Sequence, residues 1–351
     1  MKRVVLAYSG GLVTSAAIGW LARERDAEVV TVTLDFGQEP ELAAVRERAL
    51  SLGAVRAHVV DAREEFVGDY MLPALQAGAL MDGHALPRPL IAKRLVEIAR
   101  MEMAQAVGHG GEPGRDAEAA LQAAVRSLNP ALEVIAPARE WRMSQAELTA
   151  FARAQGVHVP PAPRFRIDAS LWGRVLSAEP GHAIPDDAFM LTRAADVCPG
   201  DPATVDIEFA AGVPVRANGV ELPMIELIES LETIAGAHGV GRWPTGEAVV
   251  EAPAVAVLDA AHRELERLVV GNHVSALKGN LSDLYAEAVS GGQWSSDLRA
   301  AIDGFCQVLQ PRVTGTVRLE LLKGRCTVIS RESASGSGAS VRGERPSQEV
   351  A

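Results

Sequence analysis

Cysteine is scarce in this chain, basic charge is outnumbered, and long apolar runs are missing. The three cysteines, Cys198, Cys306 and Cys326, are odd in number and form no CxxC pair. That excludes a disulfide framework and a cysteine-rich zinc site, and fits reduced thiols in a cytoplasm. Lys and Arg total 34 against 45 Asp and Glu, a net charge of −11 with no basic tract, so neither nucleic acid nor an anionic membrane is expected as a partner. No uncharged stretch approaches the roughly 18 residues that a membrane-spanning helix needs. The N-terminal MKRVVLAYSGG has two basic residues and a five-residue apolar run, too short for the core of a secretory signal. No internal repeat is found.

What is present is enough for a large core. The 351 residues, 48% hydrophobic and 23% charged, suit a soluble globular protein of two domains. Short β-branched runs alternate with amphipathic segments: RVVLAY, then residues 11–24; EVVTVTL (28–34), then 39–52; VRAHVV (55–60), then 61–75. This rhythm predicts βαβ units and a parallel sheet. A long helix is predicted over 89–107, with Ile91, Leu95, Ile98 and Met101 near helical spacing and Gly108 closing it. EVIAP (133–137) reads as a buried strand and 144–156 as a capped helix ending in glycine. Residues 1–163 are therefore expected to form one α/β domain, a doubly wound parallel sheet.

Pro-rich VPPAPR (159–164) and EPGHAIPDDA (179–188) mark a change of composition. Beyond them come a hairpin over 205–219, a helix over 223–239, helical patterns over 259–309 and a second hairpin over 313–330 turning near Lys323 and Gly324. Residues 164–333 are expected to form a second, α+β domain. The tail, 334–351, is Gly/Ser-rich and almost free of large apolar side chains, so disorder is expected there.

The segment with the most chemistry is AYSGGLVTS (7–15). A strand, then Ser9-Gly10-Gly11, then a helix sets unpaired amides at a helix N-terminus, where an anion is favoured. Ser9, Thr14 and Ser15 add hydroxyl donors. The segment lacks the Lys-Ser/Thr of a Walker A loop and does not fit GxGxxG. On spacing alone, a phosphate cradle and a tight turn with a serine cap fit it equally.

AYSGGLVTS closely resembles the AYSGGLDTS pyrophosphate loop of the argininosuccinate synthase family, in the PP-loop ATP pyrophosphatase group. TLDFGQE (33–39), REEFVGDYMLPAL (63–75), RPLIAKRLVEIAR (88–100), VIAPAREW (134–141), IDASLWGR (167–174), AGAHGVGR (235–242) and VTGTVRLELLKG (313–324) resemble that family's segments in order. The resemblance spans about residues 2–333. It implies an adenine nucleotide α hydrolase-like domain, a synthetase domain, a homo-oligomer (dimer or tetramer), and ATP with Mg as cofactors. It also implies a reaction in which ATP adenylates the ureido oxygen of citrulline and the aspartate amine displaces AMP. Carried onto this chain, Ala7, Tyr8, Ser9, Gly10, Gly11, Thr14, Ser15, Leu34 and Gly110 are the nucleotide-binding positions. Asp116 is a substrate position, and no metal ligand is assigned.

Departures cluster at the substrate positions. Val13 replaces the loop aspartate. GGEPGRDAEAAL (110–121) matches the family's GCTGKGNDQVRF without its Thr, Lys, Asn and Arg, and MDGHALP (81–87) shortens a stretch that carries a tyrosine. Phe165, Arg166, Ser170 and Val175 stand for Tyr, Ser, Asn and Ser. In GRWPTGEAVVEAP (241–253), a substrate glutamate is omitted and Val250 replaces another tyrosine. An amino-acid pocket must pair its substrate's charges, so these losses argue against citrulline and aspartate. The expected activity is an ATP-dependent carbon–nitrogen ligase acting on altered small-molecule substrates, with Arg115 and Arg166 placed to meet a different acid. The alternative is a catalytically silent relative serving as an assembly or regulatory subunit. His109 reads as a backbone-bonded loop histidine in preference to an acid or base, and Arg139-Glu140-Trp141 as a structural ion pair on an aromatic. Asp35 fits a helix cap and a partial substitute for the missing loop acid about equally.

Overall fold

The computed structural model describes residues 2–38, 42–81, 83–111, 116–141, 143–159, 165–178, 181–246 and 248–334, the side chains of Asp116 and Ala117 excepted. The tail expected to be disordered lies outside them from residue 335. The described residues fall into two compact units, one within Met1–Phe66, His84–Pro163 and Glu287–Arg299, the other within Val67–Gly83, Arg164–Ala286 and Ala300–Ala351.

The first unit opens β1 (Lys2–Ala7), α1 (Leu12–Glu24), β2 (Ala27–Asp35), α2 (Leu42–Ser51), β3 (Arg56–Asp61) and α3 (Arg63–Phe66). A π turn at Val67–Met71 and α4 (Leu72–Ala77), which ends on left-handed Gly78, belong to the second unit. The expected single segment over 61–75 is thus interrupted where the chain passes from one unit to the other. The first unit resumes with α5 (Arg88–Met101), β4 (Ala106–Gly108), α6 (Asp116–Leu128), β5 (Glu133–Ile135), α7 (Pro137–Glu140) and α8 (Gln145–Ala154). Its five strands are all parallel, in the order β3-β2-β1-β4-β5. Val4, Val5 and Leu6 of the central strand are at most 1% exposed, because helices cover both faces of such a sheet and leave no polar side for alternation.

The helix expected over 89–107 is corrected by the structure. It stops at Met101, and Ala106–Gly108 form the strand that pairs with β1, Val4 opposite Ala106 and Leu6 opposite Gly108. Three residues carry no readable period, so this strand exists only through its pairing. Gly108 is not a helix cap. A Cβ there would lie 3.1 Å from the Leu6 side chain, so glycine permits close packing inside the sheet. Strand order reverses between β1 and β4, and the crevice beyond their carboxyl ends is where sheets of this kind take ligands.

The second unit continues with β6 (Phe165–Ser170), β7 (Gly173–Ala178), β8 (Ala203–Ala210), β9 (Val213–Ala217), β10 (Val220–Glu221), α9 (Met224–Ala237), β11 (Arg242–Thr245) and β12 (Ala248–Glu251). Then come α10 (Pro253–Val269), α11 (Asn272–Ser290), α12 (Asp297–Leu309), β13 (Gly315–Leu322) and β14 (Arg325–Ser333), the end of α11 from Glu287 and the start of α12 through Arg299 belonging to the first unit. The two expected hairpins, β8–β9 and β13–β14, join in one antiparallel sheet of order β10-β9-β8-β13-β14. A second antiparallel sheet, β11-β12-β7-β6, was not expected. Its strands are four to six residues long and Pro244 interrupts the pattern of β11, so pairing rather than periodicity defines them.

One buried carboxylate organises this smaller sheet. Glu251 is 0% exposed and accepts from Arg174 Nη1 at 2.7 Å, from the amides of Leu191 and Thr192 at 2.9 and 2.8 Å, and from Thr192 Oγ1 at 2.7 Å. A buried charge is tolerated when its partner and its hydrogen bonds are all present, as they are here.

Candidate functional site

The phosphate-loop candidate begins where β1 ends. Tyr8 N donates to Val32 O at 2.8 Å, and Thr33 Oγ1 donates to Tyr8 O at 2.8 Å, so β2 carries the chain to the sheet edge. Gly10 then turns it with φ +77°, a conformation that suits glycine. The first bond of the α1 ladder is Ser15 N to Gly11 O, 2.9 Å, so the amides of Leu12, Val13 and Thr14 precede the ladder. No side chain caps this N-terminus and no acid lies in its first turn. Ser9 Oγ accepts from Gly11 N at 3.4 Å, a serine bond within the turn itself. Ser9 Oγ also lies 3.2 Å from Thr14 Oγ1, and Tyr8 OH 3.1 Å from Ser15 Oγ. Free amides and the helix dipole together make this end attractive to an anion.

The opposite wall of the crevice follows β4. His109 is 3% exposed, its amide donates to Ile135 O at 3.2 Å, and its Nδ1 accepts from Gly111 N at 3.1 Å. That bond puts the proton of the neutral ring on Nε2, which finds no partner among the described residues. Burial, with Arg139 adding to it, pushes the imidazole down to about 4, so the ring is neutral at physiological pH. The loop-histidine reading fits this geometry. Gly110 touches the phosphate loop directly: an added Cβ would lie 2.5 Å from Thr14 Cγ2 and 3.4 Å from Val13 Cγ1. The fold thus brings residues 7–15 and Gly110 together from segments about 100 positions apart. Leu34 sits on neighbouring β2 with its side chain buried, and its carbonyl accepts from Gln38 Nε2 at 2.6 Å.

Val13 is half-buried and puts an apolar side chain where the family's loop has an acid. It packs with Leu12 against Ala16, Leu148, Ala152 and Val157. Among the described residues no group of three or more His, Cys, Asp or Glu side chains is arranged to hold a metal ion. The loop itself, residues 7–15, supplies no carboxylate to a magnesium ion, whose ligands are characteristically oxygens with one or two carboxylates among them. Asp35 does not fill that role: it accepts from Gly37 N at 2.8 Å and lies 3.6 Å from Arg63 Nε, which ties it to its own turn. Sequence reading missed Arg48, which reaches from α2 to donate from Nη1 to Gly10 O at 3.0 Å. No local pattern announces a contact between residues 38 positions apart. Arg139, Glu140 and Trp141 are structural, meeting Glu118, Arg25 and Trp20.

The substrate positions are placed in less detail. Arg115 lies outside the described residues, and Asp116 opens α6 with its side chain undescribed. Arg166 is exposed on β6 opposite Ser177. Ser170 accepts from Trp172 N at 3.2 Å and so serves a turn. Val175 and Val250 are direct register partners on β7 and β12, 1% and 0% exposed. Gly83 packs beside them, its would-be Cβ 3.0 Å from Trp172 and 3.5 Å from Val175.

The model of the arginosuccinate synthase N-terminal HUP domain matches residues 3–158, and that of the arginosuccinate synthase C-terminal domain matches residues 165–337. Proteins named argininosuccinate synthase from Bacillus thuringiensis, Bacillus cereus and Bacillus anthracis are each 42% identical to this chain over 353 aligned residues. These alignments cover 95% of the chain and 88% of each relative.

Proposed function

Because the chain belongs to the argininosuccinate synthase family, we propose that it is an ATP-dependent carbon–nitrogen ligase that forms AMP and pyrophosphate and joins substrates other than citrulline and aspartate. The nucleotide lies at Ala7, Tyr8, Ser9, Gly10, Gly11, Thr14, Ser15, Leu34 and Gly110, within a nucleotide domain of residues 1–163. Residues 164–333 form the synthetase domain. An acceptor oxygen attacks the α-phosphorus, the bond to the bridging oxygen breaks, and pyrophosphate departs. An amine then displaces AMP from the activated carbon and loses a proton. The loop amides stabilise the charge gathering on the departing pyrophosphate, while magnesium arrives as the counter-ion of the nucleotide substrate.

One observation supports altered substrates: two positions that carry a serine and a tyrosine in the family's pattern are here a paired, sealed Val175–Val250 contact. Neither offers a hydroxyl, and neither is open to a ligand. Arg115, Asp116 and Arg166 remain the side chains to meet the new substrates, at least one of them an acid.

A pyrophosphate-release screen over amino-acid and ureido compounds, preceded by calorimetry with ATP and magnesium, tests this reading. Expected are ATP binding and release with a pair that excludes citrulline. Efficient turnover of citrulline with aspartate overturns the substrate clause. Binding without release for any pair favours the silent assembly subunit, and no binding at millimolar ATP removes the ligase reading.

A homo-oligomer in the cytoplasm completes the proposal. No helix among the described residues is long and apolar enough to cross a membrane, and all three cysteines are free thiols. On α11, Val274, Leu277, Leu281 and Leu284 follow heptad spacing, with Leu277 50% and Leu284 40% exposed. The stripe is symmetric about Gly279, where an added Cβ would meet nothing. Two antiparallel copies would pair Val274 with Leu284 and Leu277 with Leu281 across a two-fold axis. Light scattering of Leu277→Glu/Leu284→Glu is expected to show a smaller species than the unsubstituted chain.

A further inference from the structure

We propose that Arg48 supplies the positive charge that balances nucleotide phosphate at the loop, so that this site holds a pyrophosphate group without a divalent cation. The inference rests on the reading of the loop as a nucleotide site and goes beyond it by naming the residue and the ion requirement. Its starting point is a mismatch of charge. A polyphosphate brought to a helix N-terminus needs more compensation than amide dipoles give. The usual device, a carboxylate holding a metal ion, is replaced here by Val13 packed among apolar side chains.

Arg48 stands where the compensation is needed. Its Nη1 donates to Gly10 O at 3.0 Å and lies 3.6 Å from the place a Gly10 Cβ would take, which sets the guanidinium alongside the residue preceding the Gly11 N-cap. Other arginines of this part of the chain are spoken for: Arg46 pairs with Glu47 at 2.7 Å and Arg63 with Asp61 at 2.6 Å. Arg48 has no ion pair among the described residues, and the loop it touches has no acid to repel an incoming phosphate. Its field reaches into the loop. Burial raises the Tyr8 phenol, while the hydrogen bond to Ser15 and the charge of Arg48 act in the opposite direction. A guanidinium bonded through one nitrogen keeps further N–H donors, and its planar fork suits phosphate oxygens.

Removing the loop carboxylate then has a direct consequence. With an acid in the loop, stripping away the metal leaves two negative groups facing each other; with Val13 and Arg48, the metal-free loop is net attractive to phosphate. The residue acts on binding, and through binding on the position of the nucleotide.

Calorimetric titration of inorganic pyrophosphate and of ATP, each in EDTA and in magnesium, tests the proposal on the full chain. The variants are Arg48→Gln, which keeps an N–H donor but no charge, and Arg48→Lys, which keeps the charge. Expected is pyrophosphate binding by the unsubstituted chain in EDTA, weakened about tenfold in Arg48→Gln and largely retained in Arg48→Lys. The dependence of affinity on salt should also flatten in Arg48→Gln, because one screened charge has been lost. A residue that only braced the Gly10 turn would change melting temperature and leave the salt dependence alone. Equal pyrophosphate affinity and equal salt dependence in Arg48→Gln overturn the proposal, as does a requirement for magnesium in the unsubstituted chain. Failure of that chain to bind ATP or pyrophosphate in either condition overturns the nucleotide-site reading instead, a result distinct from binding that ignores Arg48.

Discussion

The phosphate loop in the first unit and the Val175–Val250 contact in the second depart from the same family pattern with different consequences. In the loop, one acid has become Val13, yet the left-handed Gly10, the uncapped α1 N-terminus and the Ser9–Thr14 and Tyr8–Ser15 hydroxyl pairs are all in place. In the smaller sheet, two substitutions close the position altogether, because Val175 and Val250 face each other in register and are sealed from solvent. A site made of main-chain amides survives the loss of a side chain, since the backbone that supplies it also holds the fold. On the proposed reading, a site made of hydroxyls does not.

Five experiments break or sharpen this contrast. The largest effect is expected for Glu251→Gln, which leaves Arg174 buried without its counter-charge and should cost roughly 3–5 kcal/mol in chemical denaturation. If it costs under about 1 kcal/mol, the smaller sheet is not organised as argued. Next is the acid limb of stability. His109 and His262 are pushed down to about 4 and about 3, first of all by burial. As pH falls below about 6.5, the unfolded chain takes up these protons before the folded one does, so stability is intact above that pH and is lost toward pH 4. The share of His109 is roughly 3 kcal/mol. Urea melts at pH 7 and pH 5 should show a smaller loss in His109→Gln, and an unchanged slope would refute the buried neutral ring.

Third, Gly110→Ala should weaken ATP about 100-fold, roughly 2.7 kcal/mol, because the new methyl meets Thr14 Cγ2 and displaces the loop wall. Thr14→Ser removes that methyl and should restore most of the affinity in the double variant; calorimetry that finds no rescue would place Gly110 outside the cradle. The smallest effect is expected for Val175→Ser, about 1–2 kcal/mol for a buried hydroxyl in an apolar contact, with no gain of citrulline turnover. Appearance of that turnover would mean that a single hydroxyl, and not the closed contact, separates this chain from its relatives. Val13→Asp belongs beside it: the acid would enter the cluster with Leu148 and Ala152, and ATP binding should become dependent on magnesium.

Much of the first unit was readable in advance because its strands are continuous apolar runs and its helices carry clear periods. β4 was not, since Ala106, Val107 and Gly108 have no pattern apart from their pairing with β1. The four-stranded sheet of the second unit escaped notice for the same reason. At the candidate site, residues 7–15 stood out through glycine, hydroxyl and strand-to-helix spacing, all local signals. Arg48 gave no such signal, and the meeting of Gly110 with Thr14 depends on strand order.

The amino-acid sequence by itself determined the family, the phosphate-loop backbone and the absence of an acid from it, because each is written in contiguous residues whose local chemistry is fixed. Tertiary structure alone decided that Val13 leans on the cluster around Leu148, that Arg48 stands at the loop, and that Val175 and Val250 seal one another. These are contacts between distant segments, and a contact of that kind exists only once the chain has paid its conformational entropy and closed.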